Sequence, residues 1–166
     1  LGDVYKRQVE GVKLIAPDAG SIIEIGSQGS RFITNLDTVP QFATNGHCAS
    51  GTGSFFEDQM SRLGLSIEDY SSYTNKASSI PRLSGRCAVF AKTDIIHRQQ
   101  EGVSTPDILL GLCYAMIKNY KATIVKTLPV VKPVVFCGGV TKNNGVTSAI
   151  KDLSLIHISE PTRPLY

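Results

Sequence analysis

Two cysteines, Cys48 and Cys87, have neighbours that suit a thiolate. Cys48 comes shortly before the glycine-rich turn at 51–53, and this turn runs into a segment with apolar residues at helical spacing. We expect a helix that starts near Ser50. Its amino end carries unpaired N–H groups and partial positive charge, which stabilise a thiolate. Cys87 begins a second apolar run. These patterns alone leave a metal ligand, a redox thiol and a phosphate-binding loop all open.

Two further glycine turns each follow a short apolar segment. The segment at 21–26 precedes the turn at 27–30, and the segment at 133–137 precedes Gly138 and Gly139. A strand that ends in such a turn can bring backbone N–H groups to a phosphate, and α/β folds bind ligands at this position. The same glycines also suit tight turns with no ligand, so both interpretations stay open.

The elements that position these residues can be predicted from local signals. The segments at 21–26 and 31–34 predict a β-hairpin, and the continuous apolar run at 133–137 predicts a central strand. We expect helices after the 51–53 turn, from Thr93-Asp94 to about Gln100, from Ser104 to about Lys126, and after Asn143. Strands alternating with helices indicate an α/β fold.

The other two cysteines have a plainer interpretation. Cys113 lies beside the apolar stripe of the long helix, and Cys137 lies within the central strand. A free cysteine in such a place behaves as a small buried hydrophobe. We therefore expect packed thiols at both positions.

The composition excludes only a few classes of protein. The 166 residues carry a formal net charge of +3 and contain four cysteines. No basic run with interleaved aromatic residues indicates nucleic-acid binding. No apolar stretch looks long enough to span a bilayer, and the cysteines do not form a disulfide-like framework, so we expect a cytoplasmic protein with no membrane and no nucleic acid as partner.

The two ends of the chain are related at the level of DNA. One set of codons for residues 3–8 has a reverse complement that translates as Leu-Ser-Leu-Ile-His-Ile, which is the sequence of residues 153–158. Selection on a fold rarely produces such a pair, whereas sequencing adapters on both sides of an insert do. We expect residues 1–8 and 153–166 to be adapter-derived, and residues 9–152 to be an internal fragment of a longer protein.

Four segments together resemble one family. Residues 45–53, Asn-Gly-His-Cys-Ala-Ser-Gly-Thr-Gly, resemble the N-x-x-C-A-x-G-T-G signature of the activator ATPases of 2-hydroxyacyl-CoA dehydratases, which include the ATPase subunits of benzoyl-CoA reductase. Residues 87–94 resemble the family's second cysteine motif, C-x-V-F-A-x-S-[ED]. Residues 24–30 resemble D-I-G-G-Q-D-S, and residues 137–143 resemble T-G-G-V-A-x-N. All four occur in the family's order.

The resemblance implies a fold and a function. The fold is a partial actin–hexokinase-type (RNase-H-like) nucleotide-binding fold, mainly its C-terminal lobe, with residues 9–152 as a fragment of the activator ATPase domain. The function is that of an ATP-dependent one-electron donor to a 2-hydroxyacyl-CoA dehydratase or a benzoyl-CoA reductase-type enzyme. Its implied cofactors are ATP with Mg²⁺ and a 4Fe-4S cluster shared between two subunits of a homodimer, or between paired modules. Reduced ferredoxin or flavodoxin is the implied electron donor.

The resemblance also implies roles for particular residues. Cys48 and Cys87 are the expected cluster ligands, two from each subunit, because such a cluster takes four thiolates. Gln28 and Glu24 are the expected catalytic residues. The expected nucleotide-binding residues are Gly26, Gly51, Thr52, Gly53, Gly138, Gly139, Val140 and Asn143.

Two departures and several alternatives remain. Gly29 stands where the family motif has an acid, and Glu24 replaces the first Asp, which puts Mg²⁺ binding and hydrolysis in question. A sugar-kinase-like nucleotide-binding domain without a cluster would have similar glycine turns. A zinc module would use His47, Cys48, Cys87 and His97, although this spacing is poor for chelation. A fragment without the first lobe is not expected to bind ATP well.

Overall fold

The computed structural model describes residues 2–46, 51–85 and 87–153. Four strands and six α-helices, joined by short 3₁₀ and π turns, make up the described chain. They are α1 (Gly2–Ile15), β1 (Ser21–Ile25), β2 (Ser30–Thr34), β3 (Gln41–Thr44), α2 (Gly53–Arg62), a 3₁₀ turn (Ile67–Asp69), α3 (Tyr70–Thr74), α4 (Ala88–Gln100), α5 (Thr105–Tyr120), a π turn (Lys121–Val125), β4 (Val134–Cys137), a second 3₁₀ turn (Gly139–Lys142) and α6 (Asn144–Asp152).

The strands form one mixed sheet in the order β3-β2-β1-β4. β1 pairs antiparallel with β2, with Ile23 opposite Phe32, and parallel with β4, with Ile23 opposite Phe136. The predicted hairpin and the predicted strand at 133–137 are therefore confirmed. Because β1 and β4 are parallel, their carboxyl ends and the turns that follow them lie at one edge of the sheet.

Helices cover both faces of the sheet. Ile23, Ile25 and Phe32 face the larger core, which contains the buried faces of α2, α5 and α6. Ile22 and Ile33 face a smaller core under α1. The alternation follows from the two-residue period of a strand, and it gives a three-layer α/β arrangement.

Helix α5 lies at the centre of the larger core. Its cap was predicted correctly, because the Ser104 hydroxyl accepts a hydrogen bond from the Asp107 N–H and Pro106 lies in the first turn. The segment Thr105–Val125 is long and apolar enough to cross a bilayer, so the expectation that no segment reaches that length was wrong. Most of its apolar window is buried inside the fold, which is typical of a core helix.

Three elements differ from the sequence-based expectations. Helix α4 begins at Ala88 with Cys87 as its N-cap, so Thr93 and Asp94 lie inside the helix and do not cap it. Strand β3 was not predicted, because it is a short, exposed edge strand without apolar alternation. Helix α1 was also missed, since its first half coincides with residues set aside as adapter-derived. In the structure these residues are helical, and the ring of Tyr5 stacks on Phe42 with 4.1 Å between centroids.

Candidate nucleotide cleft and cysteine-bearing helix

The turn after β1 meets the amino end of α2. The Gly53 N–H donates to the Gly26 carbonyl oxygen, and the Ser54 N–H donates to the Ser27 carbonyl oxygen, each at 2.7 Å. A Cβ atom on Gly53 would lie 3.1 Å from the Ser27 Cα and 3.2 Å from the Val140 Cγ2. A side chain here would press on both neighbours, so the glycine eases the close meeting of three segments whose glycine motifs were predicted to bind nucleotide.

The turn after β4 completes this meeting point. Gly138 has φ +102°, and a Cβ atom there would lie 2.3 Å from the Ile25 carbonyl oxygen. A side chain at this position would collide with the end of β1. The glycine therefore lets the chain leave β4 directly beside the turn after β1, at the carboxyl edge of two parallel strands.

An open cleft of about 380 Å³ lies at this edge. Gly53, Gly139, Val140 and Asn143, all predicted as nucleotide-binding residues, line it. Ser27 and Lys142 also line it and lie in the glycine turns singled out in the sequence, which did not indicate the walls from α2, α3 and the turn between them. The further lining residues are Ser27, Phe56, Glu57, Ile67, Glu68, Tyr70, Ser71 and Lys142.

Asn143 is held firmly at the cleft wall. Its Oδ1 accepts hydrogen bonds from the N–H groups of Gly145 and Val146, at 3.0 and 3.2 Å, and so caps α6. The Cys113 thiol donates to the same oxygen at 3.7 Å. Burial raises the pKa of the Cys113 thiol to about 12, so the prediction of a packed thiol is confirmed.

The other predicted residues near these turns have different surroundings. Gln28 is exposed in the turn between β1 and β2, next to Ser27 of the cleft. Gly51 has φ +100° and is buried near the Ser30 hydroxyl. Thr52 is buried at the N-cap of α2, and its hydroxyl lies 2.9 Å from that of Ser54. Gly51 and Thr52 therefore position α2 and do not line the cleft.

Glu24 lies apart from the cleft residues. It belongs to the sheet face under α1, where its carboxylate accepts hydrogen bonds from Arg31 at 3.0 Å and from the Gln8 amide at 2.7 Å. Cys137 is close to this pair. Burial, together with the charge of Glu24, raises the pKa of the Cys137 thiol to about 12, as expected for an unreactive strand cysteine.

Cys87 is the described thiol best placed for a ligand. It is half-buried at the N-cap of α4, and its side chain does not cap the helix. The next residues, Val89 and Phe90, are 66% and 64% exposed. Cys48 lies outside the described residues. Within the described ranges, no group of three His, Cys, Asp or Glu side chains could hold a metal ion.

Comparison with known proteins identifies similar chains. An activator of lactoyl-CoA dehydratase from Anaerotignum propionicum is 31% identical over 85% of this chain and 55% of its own length. A benzoyl-CoA reductase component from Thauera aromatica is 30% identical over 86% of this chain and 51% of its own length. The activator of the 2-hydroxyisocaproyl-CoA dehydratase from Clostridium difficile, solved with bound ADPNP, superposes with a TM-score of 0.83 at 28% identity, covering 94% of this chain and 59% of that one.

These similarities establish the class and then the family. The fold is part of the actin/hexokinase-like nucleotide-binding fold, as the resemblance implied. The chain belongs to the BadF/BadG/BcrA/BcrD ATPase family, whose model matches residues 7–160. The chain spans about half the length of the curated relatives it matches.

Proposed function

We propose that this chain is a segment of an ATP-dependent activator that passes one electron to a 2-hydroxyacyl-CoA dehydratase or a benzoyl-CoA reductase-type enzyme. The observation that carries the proposal is the contact of Gly53 with Gly26 and Val140, because it joins the nucleotide-type turns to the start of the helix that follows Cys48. The names of the relatives support the same class of activity.

The cleft suits a small-molecule ligand in size. Its volume of about 380 Å³ falls within the range of small-molecule sites. A Cβ atom on Gly139 would meet no atom within 4 Å, so this backbone borders open space where a ligand can approach closely. We propose that Gly139, Val140 and Asn143 hold the adenosine part. Glu57 and Glu68 are then available to accept hydrogen bonds from sugar hydroxyls.

A cluster ligand at Cys87 is chemically reasonable. The thiol lies at the positive end of a 13-residue helix, which favours a negatively charged group. A 4Fe-4S cluster, when bound, supplies reversible one-electron chemistry. We propose Cys48 as the second ligand of each subunit. A second copy of the chain would then complete the set of four, across a two-fold axis.

The exposed side chains beside Cys87 support this dimer. Val89 and Phe90 are large apolar residues that remain mostly accessible to solvent in the single chain. Burying them against the same pair in a second copy would exclude water around the thiolates. The same cytoplasmic dimer would receive electrons from reduced ferredoxin or flavodoxin and would dock on the dehydratase or reductase component.

Helix α2 offers a mechanical link between the two sites. Its first two N–H groups bond to the turn after β1, and its side packs against α4, which carries Cys87 at its amino end. A ligand that moves the 26–29 turn would therefore displace α2 relative to α4. We propose that nucleotide state changes the surroundings of the cysteine-bearing ends in this way.

The test uses the longer protein proposed to contain this chain, expressed without oxygen. We expect iron and sulfide in equal amounts, a cluster signal in electron paramagnetic resonance after reduction, and loss of this signal in Cys48→Ser and Cys87→Ser. Cys137→Ser is the matched control and should keep it. A full signal in Cys48→Ser would contradict the assignment, and a nucleotide-binding protein without any cluster would favour the sugar-kinase-like alternative.

A further inference from the structure

The segment 81–85 leads into Cys87 and lies along α4 in the opposite direction. The Ser84 N–H donates to the Asp94 Oδ2 at 2.7 Å. The Arg98 Nη2 donates to the Arg82 carbonyl oxygen at 3.1 Å. Ser84, which is nearer to Cys87 in the sequence, bonds to Asp94, and Arg82, which is farther from it, bonds to Arg98. The segment 81–85 and α4 therefore run antiparallel.

The α4 residues in these contacts share one face of the helix. Asp94 and Arg98 stand at i and i+4, which are neighbours on a helix surface. The two hydrogen bonds thus fix the position of residues 81–85 along the helix axis. Because Cys87 follows Gly85 by only two residues, this position also restricts where the Cys87 backbone can lie.

Close packing on α5 holds the other side of the segment. A Cβ atom on Gly85 would lie 2.3 Å from the Ala115 carbonyl oxygen, and one on Gly111 would lie 2.7 Å from the Pro81 carbonyl oxygen. The segment therefore has little room to move toward α5. Both bonds to α4 involve a side chain that carries charge, the Asp94 carboxylate and the Arg98 guanidinium, and the bond to Asp94 is the shorter restraint.

We propose that Asp94 is a positioning residue that fixes the Cys87 thiol at the amino end of α4, by anchoring Ser84 to this helix. The consequence for a bound cluster rests on the proposed function, whereas the effect on the thiol does not. Without this bond, residues 81–85 gain freedom to shift along α4, and the thiol is no longer held at one place.

The first test uses this chain and needs no cofactor. Asp94→Leu removes the acceptor, and Asp94→Asn keeps a neutral one. We expect Asp94→Leu to lose the hydrogen-exchange protection of the Ser84 amide and to raise the alkylation rate of Cys87 about tenfold, as the loss of a charge-assisted hydrogen bond predicts. Asp94→Asn should give an intermediate rate. Mass mapping of each cysteine separates Cys87 from the others.

Two internal comparisons keep the test decisive. Asp58→Leu changes an exposed carboxylate on α2 and should leave Cys87 unaffected. Cys113 is fully buried, so its labelling reports global unfolding. If Cys113 becomes labelled in Asp94→Leu, this variant unfolds, and Asp94→Asn is used in its place. In Asp94→Asn, faster labelling of Cys87 without labelling of Cys113 supports the proposal. Unchanged Ser84 protection and Cys87 labelling in a folded Asp94 variant would overturn it.

A second measurement separates this inference from the proposed function. In the longer protein, we expect Asp94→Leu to shift the cluster's reduction potential or broaden its resonance signal, while Asp58→Leu matches the parent. If the parent itself holds no cluster, the proposed function fails, yet the Ser84 and Cys87 results still decide the role of Asp94. A normal cluster signal together with unchanged Cys87 labelling in Asp94→Leu would overturn the positioning role alone.

Discussion

Gly138 and Gly139 are adjacent in sequence, but they meet different surroundings. Gly138 has φ +102° and touches the Ile25 carbonyl oxygen, whereas a Cβ atom on Gly139 would project into open space at the cleft. The first glycine therefore serves the fold, and the second can serve a ligand. This difference was not visible in the sequence, where both fitted either interpretation.

Alanine substitution should separate these two roles. We expect Gly138→Ala to lower the free energy of unfolding by about 3 kcal/mol or more, because it adds both a strained φ and a clash with β1. Gly139→Ala should cost less than about 1 kcal/mol but weaken nucleotide binding about tenfold. Urea denaturation of this chain and nucleotide titration of the longer protein measure the two effects. Equal loss of stability in both variants would contradict the distinction.

Gly29 stands where the family motif has an acid, and the structure leaves room for one. The Gly26 N–H donates to the Gly29 carbonyl oxygen at 2.8 Å, and a Cβ atom on Gly29 would meet no atom within 4 Å. We expect Gly29→Asp to fold normally and, in the longer protein, to raise the rate of Mg²⁺-dependent ATP hydrolysis about tenfold or more, because a carboxylate helps hold the hydrated metal ion. Gly29→Asn is the matched control without charge. A rate that both variants leave unchanged would show that this turn does not face the metal ion.

The helices and strands differ in how far local sequence determined them. Ser104 and Pro106 mark the start of α5 within a few residues, and the 27–30 turn gives the hairpin, because both signals are local. Helix α4 was misplaced since Cys87 is an unusual N-cap, while Thr93-Asp94 has the composition of a cap. In the fold, Asp94 bonds to the distant Ser84 backbone instead. The cleft walls at Glu57, Glu68 and Tyr70 also depend on tertiary packing, which a single sequence does not reveal.

Asp107, in the first turn of α5, anchors the loop that leads from α3 toward Cys87. Its Oδ1 accepts hydrogen bonds from the backbone N–H groups of Ser79 and Ser78, and its Oδ2 accepts one from the Ser79 hydroxyl. The bonds from the Ser79 and Ser78 backbone lower the pKa of Asp107 below its ordinary value. The anchor is therefore fully present above the unfolded-state pKa and is lost as the pH falls through the folded-state pKa.

This anchor predicts a pH-dependent difference in stability. We expect Asp107→Asn to melt several degrees below the parent at pH 7, with the gap beginning to close below about pH 4, where an unfolded aspartate takes up a proton, and closing fully once the pH has fallen through the lowered folded-state pKa of Asp107. Thermal melts across this pH range measure the gap. Asp58→Asn, at an exposed site on α2, should show no such gap. A constant difference at every pH would mean that the Asp107 charge does not contribute.

In the whole molecule, the nucleotide-type turns and the cysteine-bearing helix end are joined through α2. The amino end of α2 bonds to the turn after β1, and its side contacts α4. In the proposed assignment, Cys48 and Cys87 of one chain supply two of the four thiolates that a 4Fe-4S cluster needs. The proposed activity therefore requires a second copy or a paired module, and we expect the two to meet at the exposed residues Val89 and Phe90 beside Cys87.

Phe90→Glu should separate two copies that meet at this surface. A carboxylate facing its symmetry mate would be buried without a partner, so we expect the longer protein to sediment as a monomer and to lose most of its iron and sulfide. Val39→Glu is the control, because Val39 is an apolar residue that is 79% exposed in the turn before β3 and does not belong to α4. It should stay dimeric and keep its cluster. A Phe90→Glu protein that remains a dimer with a full cluster signal would place the two-fold axis elsewhere. A protein that stays dimeric but loses iron would instead show that Phe90 shields the thiolates without holding the copies together.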